Sequence, residues 1–328
     1  MYIKRYYSLW MTIKWSKKAL LYGTLYSAAI IVVYELSHVP FALPWQPISV
    51  IGVAVAFFLS FKNNSSYDRT WEARKIWGRI INESRTFAAA ILSMPAEAVG
   101  YEWKKTVIYR HLAWLLALKH NMRKPKRWEH NGPFEKLVFT PNFRKECLDG
   151  MEPEISKYLS VDEFAQLKKY TNVPSQILKN QSHAIAQLCN GGQLSEHRHV
   201  WMHRLIGNLY DVQGMTERIK SFPFPRQYAS TGLWIMYIFC ALIPFGLLDI
   251  FEQSRSLHYW LTIPFSSLII WMYFLVDRIG DYSENPFEAA YNDVPISSMA
   301  RTIEIDLLEM LGEENIPAPY PVENGFLL

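Results

Sequence analysis

The sequence predicts an all-α protein that crosses a membrane four times and carries a large helical region outside the bilayer. Two features predict this fold: long apolar stretches lie near both ends of the 328-residue chain, and a charged, helix-forming segment lies between them. Half of the residues are hydrophobic and 20% are charged, which excludes a disordered or fibrous chain. The net charge of +4 is too small to indicate a nucleic-acid partner.

Four apolar stretches are long enough, or nearly long enough, to cross a bilayer, which takes about 20 residues in a helix. Tryptophan and tyrosine lie near their ends, as they do at membrane interfaces. A large soluble helical protein with an apolar core is the alternative, and four such stretches in one chain favour the membrane. The predicted spans are residues 19–34 (extending to 37), 41–61, 231–248 and 259–276.

Lysine and arginine near the spans predict their orientation, because these residues concentrate on the cytoplasmic side. The loop 38–47 has none and the loop 249–258 has only Arg255, whereas the first eighteen residues have five. Both termini and the middle of the chain are therefore predicted to be cytoplasmic, in a multi-pass protein of the inner (plasma) membrane. The predicted organisation is a cytosolic segment with the first two spans (1–61), a cytosolic helical region (62–225), two further spans (226–280) and a C-terminal cytosolic segment (281–328).

The middle of the chain is rich in helix-forming residues, and the second span is predicted to continue as a helix to residue 94, before Pro95. The Phe-Pro-Phe-Pro motif at 222–225 is predicted to end the last cytosolic helix before the third span. A mixed stretch (121–160) and an irregular tail (312–328) are predicted to lack long helices. The further predicted helices are 103–119, 161–170, 174–188 and 195–220.

Motifs of the common enzyme classes are missing from the sequence, including phosphate-binding loops, nucleophile elbows, zinc-protease helices and dinucleotide-binding turns. The three cysteines are far apart, so neither a disulfide framework nor a cysteine zinc site is implied. The centres of the predicted spans lack ionisable residues, which argues against ion-coupled transport. The sequence therefore predicts no enzyme and no cofactor, and it leaves a passive pathway open.

An apolar stripe runs along the second predicted span, where Val53, Phe57 and Phe61 recur every four residues and so share one helix face. Small residues beside the stripe would let neighbouring helices approach closely. A ring of such helices would place three apolar collars around an axis, and narrow apolar collars gate ions by dewetting. The alternative is an ordinary packing or lipid-facing stripe. The small residues are Gly52, Ala54, Ala56 and Ser60.

Five sequence runs, in order along most of the chain, resemble segments of bacterial bestrophins. The first, Ser-Phe-Lys-Asn-Asn-Ser-Ser-Tyr-Asp-Arg-Thr-Trp-Glu-Ala-Arg-Lys-Ile-Trp-Gly at 60–78, resembles the segment that follows the pore helix of that family. The resemblance implies a cyclic homopentamer that conducts ions through one axial pore lined by the second helix of each subunit. The other runs are Glu-Arg-Ile-Lys-Ser-Phe-Pro-Phe-Pro (217–225), Ile-Pro-Phe-Gly-Leu (243–247), Asn-Pro-Phe (285–287) and Arg-Thr-Ile-Glu-Ile-Asp-Leu-Leu (301–308).

The resemblance also implies the positions of two constrictions. The family's hydrophobic neck has three residues at four-residue spacing, the last lying eight residues before the arginine of an Arg-x-Trp motif. That arginine is Arg69 here, so the neck coincides with the apolar stripe of Val53, Phe57 and Phe61. A second, cytosolic constriction falls on His197. The polar residues implied beside the pore are Lys62, Ser65, Asp68 and Arg69.

Histidine at the second constriction predicts pH-dependent conduction, because an unperturbed imidazole titrates near pH 6.5. Five protonated rings would favour anions over cations, and their mutual repulsion would oppose full protonation. A solvated surface histidine is the alternative interpretation of His197. Nearby, Glu196, His199 and His203 share a helix face and could hold a divalent metal. Solvated side chains are the more common outcome of this pattern, and no metal site is predicted.

Calcium gates animal bestrophins, and an acidic cluster after their Asn-Pro-Phe motif supplies part of the calcium ion's ligands. The corresponding residues 288–293 of this chain are Glu-Ala-Ala-Tyr-Asn-Asp. Two carboxylates are few for an ion that prefers six to eight oxygen ligands. Calcium activation is therefore not expected.

The sequence leaves the sign of the conducted ion open. Animal members of the family conduct chloride, some bacterial relatives favour monovalent cations, and a phenylalanine ring can favour either sign through its edge or its face. The resemblance implies passive conduction of monovalent ions, and the family assignment makes chloride and other anions the expected conducted ions. Membrane lipid and further copies of the chain are the implied partners. The alternative is a membrane-anchored scaffold or carrier without channel activity.

Overall fold

The computed structural model describes residues 1–37, 41–129, 150–252, 258–290, 292–322 and 325–327. Within these ranges the regular structure is helical apart from one antiparallel bridge between Tyr2 and Phe326, which confirms the predicted all-α fold. A short 3₁₀ helix, His258–Leu261, precedes the ninth α-helix. The α-helices are α1 (Leu9–Ser37), α2 (Trp45–Ser93), α3 (Tyr101–Arg123), α4 (Glu152–Ile155), α5 (Val161–Leu167), α6 (Val173–Asn190), α7 (Glu196–Ser221), α8 (Arg226–Glu252), α9 (Thr262–Ser283) and α10 (Ile296–Leu311).

Among the described residues, four helical segments are long and apolar enough to cross a membrane. Three of them contain a predicted span in full, and the second contains residues 45–61 of the predicted span 41–61. Prolines set two of their starts, because proline disfavours a helical conformation in the residue before it. Pro44 directly precedes α2, which begins four residues later than the predicted second span, and Pro225 directly precedes α8. Arg255, Cys147, Tyr291 and residues 130–149 of the mixed stretch lie outside the described residues.

Helix α2 is a single helix of 49 residues, about 70 Å long at 1.5 Å per residue. A bilayer core takes about 20 residues, so the polar C-terminal part of α2 extends beyond the apolar span. This confirms the prediction that the second span continues as a helix. Helix α10 is not among the predicted helices, although its buried residues Met299, Ala300, Ile303 and Leu307 recur at helical spacing.

The chain forms two compact units, of which the first is the span unit, Lys4–Arg69 and Pro223–Glu284. It contains α1, the first half of α2, α8 and α9, and its apolar core joins α2 to α8 and α9. Two glycines allow the helices to approach closely. A Cβ on Gly52 of α2 would lie 2.7 Å from the Phe239 ring, and a Cβ on Gly246 of α8 would lie 2.7 Å from the δ-methyl of Ile48. The packing therefore requires glycine at both positions.

The second unit, called here the helical unit, comprises Met1–Ile3, Thr70–Phe222 and Asn285–Leu328. Helix α3 packs against α6, α7 and α10 and is buried along most of its length. The indole N–H of Trp114 in α3 donates a hydrogen bond of 2.9 Å to Oε1 of Gln213 in α7. The largest buried side chain on the helix thus has its polar atom satisfied, as buried tryptophan requires.

Candidate functional site

The apolar stripe lies on an exposed face of α2. The relative exposure of Val53 is 59%, that of Phe57 is 73% and that of Phe61 is 53%. Large apolar side chains with this exposure in one subunit need a further environment, either lipid or another protein surface. The stripe is therefore available for contact outside the subunit.

The opposite face of α2 makes the contacts within the span unit. Its buried positions repeat at alternating spacings of three and four residues, which marks a single face of a helix. This buried face lies roughly opposite to the stripe, since Val55 and Phe57 are separated by about 200° at 100° per residue. The stripe consequently does not point into the subunit's own interior. The buried positions are Ile48, Gly52, Val55, Leu59, Lys62 and Ser66.

A tyrosine that sequence analysis did not single out contacts the stripe. The ring centroid of Tyr228, in the first turn of α8, lies 5.4 Å from that of Phe61, with an interplanar angle of 35°. Tyr228 itself is 53% exposed. The start of α8 therefore touches the last residue of the stripe, a contact that no local sequence pattern indicates.

Lys62, one of the polar residues implied beside the pore, is buried in the span unit. Its ammonium group is 2.8 Å from Asp277 and 3.6 Å from Asp281, both on α9, and its side chain is 11% exposed. Two carboxylates thus neutralise Lys62 inside the span unit, because burying a charge requires an opposite partner. Of the other implied polar residues, Asp68 is exposed, and Ser65 and Arg69 are half-buried.

Glu284 caps the C-terminal end of α9, and its carboxylate is buried against the start of α8. Oε1 accepts a hydrogen bond of 3.3 Å from the Phe224 N–H and lies 3.3 Å from Nη2 of Arg226. The Glu284 carbonyl accepts a bond of 2.9 Å from Nε of Arg69. Burial raises the pKa of the Glu284 carboxyl, Asp281 raises it further, and Arg226, the Phe224 N–H and Arg69 lower it.

His197 is exposed in the first turn of α7, within the helical unit. The ring centroids of His199 and His203 are 6.2 Å apart, and Nδ1 of His203 lies 3.2 Å from the Ser182 hydroxyl of α6. Within the described ranges of the chain, Glu196, His199 and His203 do not form a cluster able to hold a metal ion. The structure thus leaves His197 accessible and does not bring the metal candidates together.

The segment after Asn-Pro-Phe faces the guanidinium group of Arg123. Nη1 of Arg123 donates a 3.1 Å hydrogen bond to the Phe287 carbonyl and lies 3.9 Å from Oδ2 of Asp293. The same Oδ2 accepts a 3.0 Å bond from the Ala290 N–H. Burial raises the pKa of Asp293 to about 7, Glu288 raises it as well, and Arg123 and the Ala290 N–H lower it. The Phe287 carbonyl and Oδ2 of Asp293 already serve a guanidinium or an amide, so these two described oxygens do not fit a calcium coordination shell.

Comparison with known proteins gives the family of the chain. A family model described as bacterial/fungal bestrophin protein matches residues 13–309. The chain belongs to the bacterial and fungal bestrophin family. The matched residues run from the second turn of α1 to near the end of α10 and include most of both units.

Related bestrophins have names that describe channels. The chain is 28% identical over 274 residues to the voltage-dependent anion channel-forming protein RSc3414 of Ralstonia nicotianae, covering 84% of this chain and 79% of the relative. It is 28% identical over 302 residues to the voltage-dependent anion channel-forming protein YneE of Escherichia coli K12, covering 91% of this chain and 88% of the relative. The crystal structure of a bestrophin homologue from Klebsiella pneumoniae superposes with a TM-score of 0.75 at 26% identity, covering 90% of this chain and 98% of that one.

Proposed function

We propose that this bestrophin is a subunit of a channel that passively conducts monovalent anions, chloride among them, across the inner membrane. The observation that carries the proposal is the exposed apolar stripe on a helix of membrane-spanning length, opposite to the face that packs within the subunit. Symmetry-related copies of α2 would bury the stripe around an axis and leave a narrow apolar passage. In this assembly Val53, Phe57 and Phe61 form the neck.

The assembly is proposed to be a cyclic homopentamer in contact with membrane lipid. Four membrane helices per subunit are too few to enclose a pore and also to supply its walls, whereas a ring uses the same helix repeatedly. The number five follows from the family resemblance. The distribution of lysine and arginine supports cytoplasmic termini and a cytoplasmic helical unit.

Anions are the proposed cargo because the related proteins are named anion channel-forming proteins. Purified protein should be reconstituted in planar bilayers under a tenfold NaCl gradient. A monovalent-selective pore gives a reversal potential approaching about 59 mV in magnitude, and its sign distinguishes chloride from sodium. We expect the sign for chloride. The sign for sodium would contradict anion selectivity, and silence under every condition would favour a scaffold over a channel.

His197 is proposed to form the cytosolic constriction, and replacing it by alanine is expected to remove a pH dependence of ion preference. Acidification that protonates a ring of histidines raises the local positive potential and so favours anions. In the wild type, lowering the pH should raise the chloride-to-sodium permeability ratio several-fold. In His197→Ala the ratio should stay constant, as measured by reversal potentials.

The matched control for this prediction is His183→Ala, because His183 is an exposed histidine on α6 of the same unit. This variant should keep the wild-type pH dependence of the permeability ratio. Equal behaviour of the two variants would show that His197 has no special place in the conduction path.

A further inference from the structure

Glu284 is a buried acid at the end of a membrane-length helix, and the proposed pore lining does not use it. Its side chain is 3% exposed. A buried carboxylate is costly unless charged or hydrogen-bonding partners face it. The partners of Glu284 therefore indicate what the residue holds in place.

Those partners join three elements of the span unit. The carboxylate contacts the Phe224 N–H in the turn before α8 and the guanidinium of Arg226, the first residue of α8, each at 3.3 Å. The Glu284 carbonyl binds Arg69 of α2 at 2.9 Å. We call this set of residues (Glu284, Phe224, Arg226 and Arg69) the Glu284 junction.

The Glu284 junction lies two residues from a contact with the neck. Arg226 opens α8, and Tyr228 in the same turn places its ring 5.4 Å from that of Phe61. The first turn of a helix has backbone N–H groups without intrahelical partners, so its position depends on contacts from outside the helix. Glu284 supplies one such contact, to Arg226 at the start of α8, and a second to the Phe224 N–H just before the helix.

We propose that Glu284 is a positioning residue for the neck: when ionised it fixes the first turn of α8 so that Tyr228 packs on Phe61, and its protonation releases both rings and lowers conduction. This inference rests on the proposed channel function. Without Tyr228 packed on it, the Phe61 ring exposes more apolar surface to water. Packing against its symmetry copies at the axis buries that surface again. Conduction then falls, because the apolar passage narrows.

The charges around Glu284 set the direction of the pH dependence. Arg226 from α8 and Arg69 from α2 favour the ionised carboxylate, whereas burial and Asp281, one turn earlier on α9, favour the protonated form. Burial is the largest of these effects, and it raises the pKa of Glu284 above the ordinary value of 4.5. Conduction is therefore expected to decline as the pH falls and the Glu284 carboxylate becomes protonated.

Currents recorded in planar bilayers over a range of pH test this role. All variants should be made in a His197→Ala background, so that the proposed cytosolic constriction contributes no titration. The parent should lose current on acidification, and Glu284→Gln should have low current at every pH, with the titration lost. The conservative Glu284→Asp should retain a titration.

Two charge variants separate a titrating carboxylate from a merely structural one. Arg226→Gln removes a positive partner and should move the midpoint of the titration to higher pH, whereas Asp281→Asn removes a negative neighbour and should move it to lower pH. Changes of amplitude without opposite midpoint shifts would overturn the proposal. A wild-type titration in Glu284→Gln would do the same and would leave the channel itself intact.

Hydrogen exchange at neutral pH provides a readout that does not depend on current. Amides of residues 222–228 should exchange faster in Glu284→Gln than in the parent, because the Phe224 N–H loses its charged acceptor. Peptides from α3 should exchange at equal rates in both proteins. Unchanged exchange at 222–228 would contradict the proposed role of the Glu284 junction. Absence of current from every variant would instead contradict the proposed channel function, and with it the role of Glu284 in positioning the neck.

Discussion

Truncating Phe57 to alanine is expected to raise the single-channel conductance about tenfold, which corresponds to a barrier lower by roughly 1.4 kcal/mol. Phe57 is the middle residue of the apolar stripe and the most exposed of the three, at 73%. In the proposed pore its symmetry copies form a collar of apolar rings, where an ion loses water and gains no polar ligand. Removing the rings widens the collar and lets ions keep their hydration. Unitary currents in planar bilayers under symmetric salt measure the effect.

The adjacent phenylalanine is the matched control for this prediction. Phe58 is half-buried, and its Cβ lies 3.6 Å from the position that a Cβ on Gly232 of α8 would occupy, so it packs inside the subunit. Phe58→Ala should reduce stability by leaving a cavity, without raising the conductance. A similar rise in both variants, or no rise in Phe57→Ala, would contradict the assignment of the neck to the stripe.

The extent of α2 follows from its sequence, whereas the direction in which its faces point does not. A charge-free run followed by helix-forming residues up to Pro95 is enough to predict one long helix. Both faces of its apolar half are apolar, with Val55 and Leu59 on the buried side and Val53 and Phe57 on the exposed side. Hydrophobic periodicity therefore shows two apolar stripes, and only the packing of α8 and α9 against one of them distinguishes the two.

Contacts between distant segments are the part of the candidate site that the sequence could not predict. Lys62 and Asp277 are 215 residues apart, as are Arg69 and Glu284, and each pair meets because α2 packs beside α9. No local pattern carries that information. Helix α10 is a different case, because its apolar residues recur at helical spacing in the sequence. That periodicity alone is enough to predict the helix.

Replacing Arg123 by glutamine is expected to lower the free energy of unfolding by about 3 kcal/mol, because removing one partner of a buried ion pair leaves the other charge uncompensated. The side chains of Arg123 and Asp293 are each 3% exposed. The variant also loses the charge-assisted hydrogen bond to the Phe287 carbonyl, which fixes the segment after Asn-Pro-Phe. Chemical unfolding of the full chain in detergent measures the change.

The stability loss in Arg123→Gln is expected to be larger at about pH 8 than at about pH 5.5. The pKa of Asp293 is raised from 3.8 to about 7 in the folded chain, so the folded chain binds this proton more tightly than the unfolded chain. The contribution of Asp293 to stability therefore decreases as the pH rises through this interval. Arg123 lowers the pKa of Asp293, so removing Arg123 extends the decrease in stability to higher pH.

The exposed Arg204 of α7 provides a control, since Arg204→Gln should change stability by less than about 0.5 kcal/mol at either pH. A loss in Arg123→Gln that is equal at both pH values would contradict a charged Asp293 as its cause.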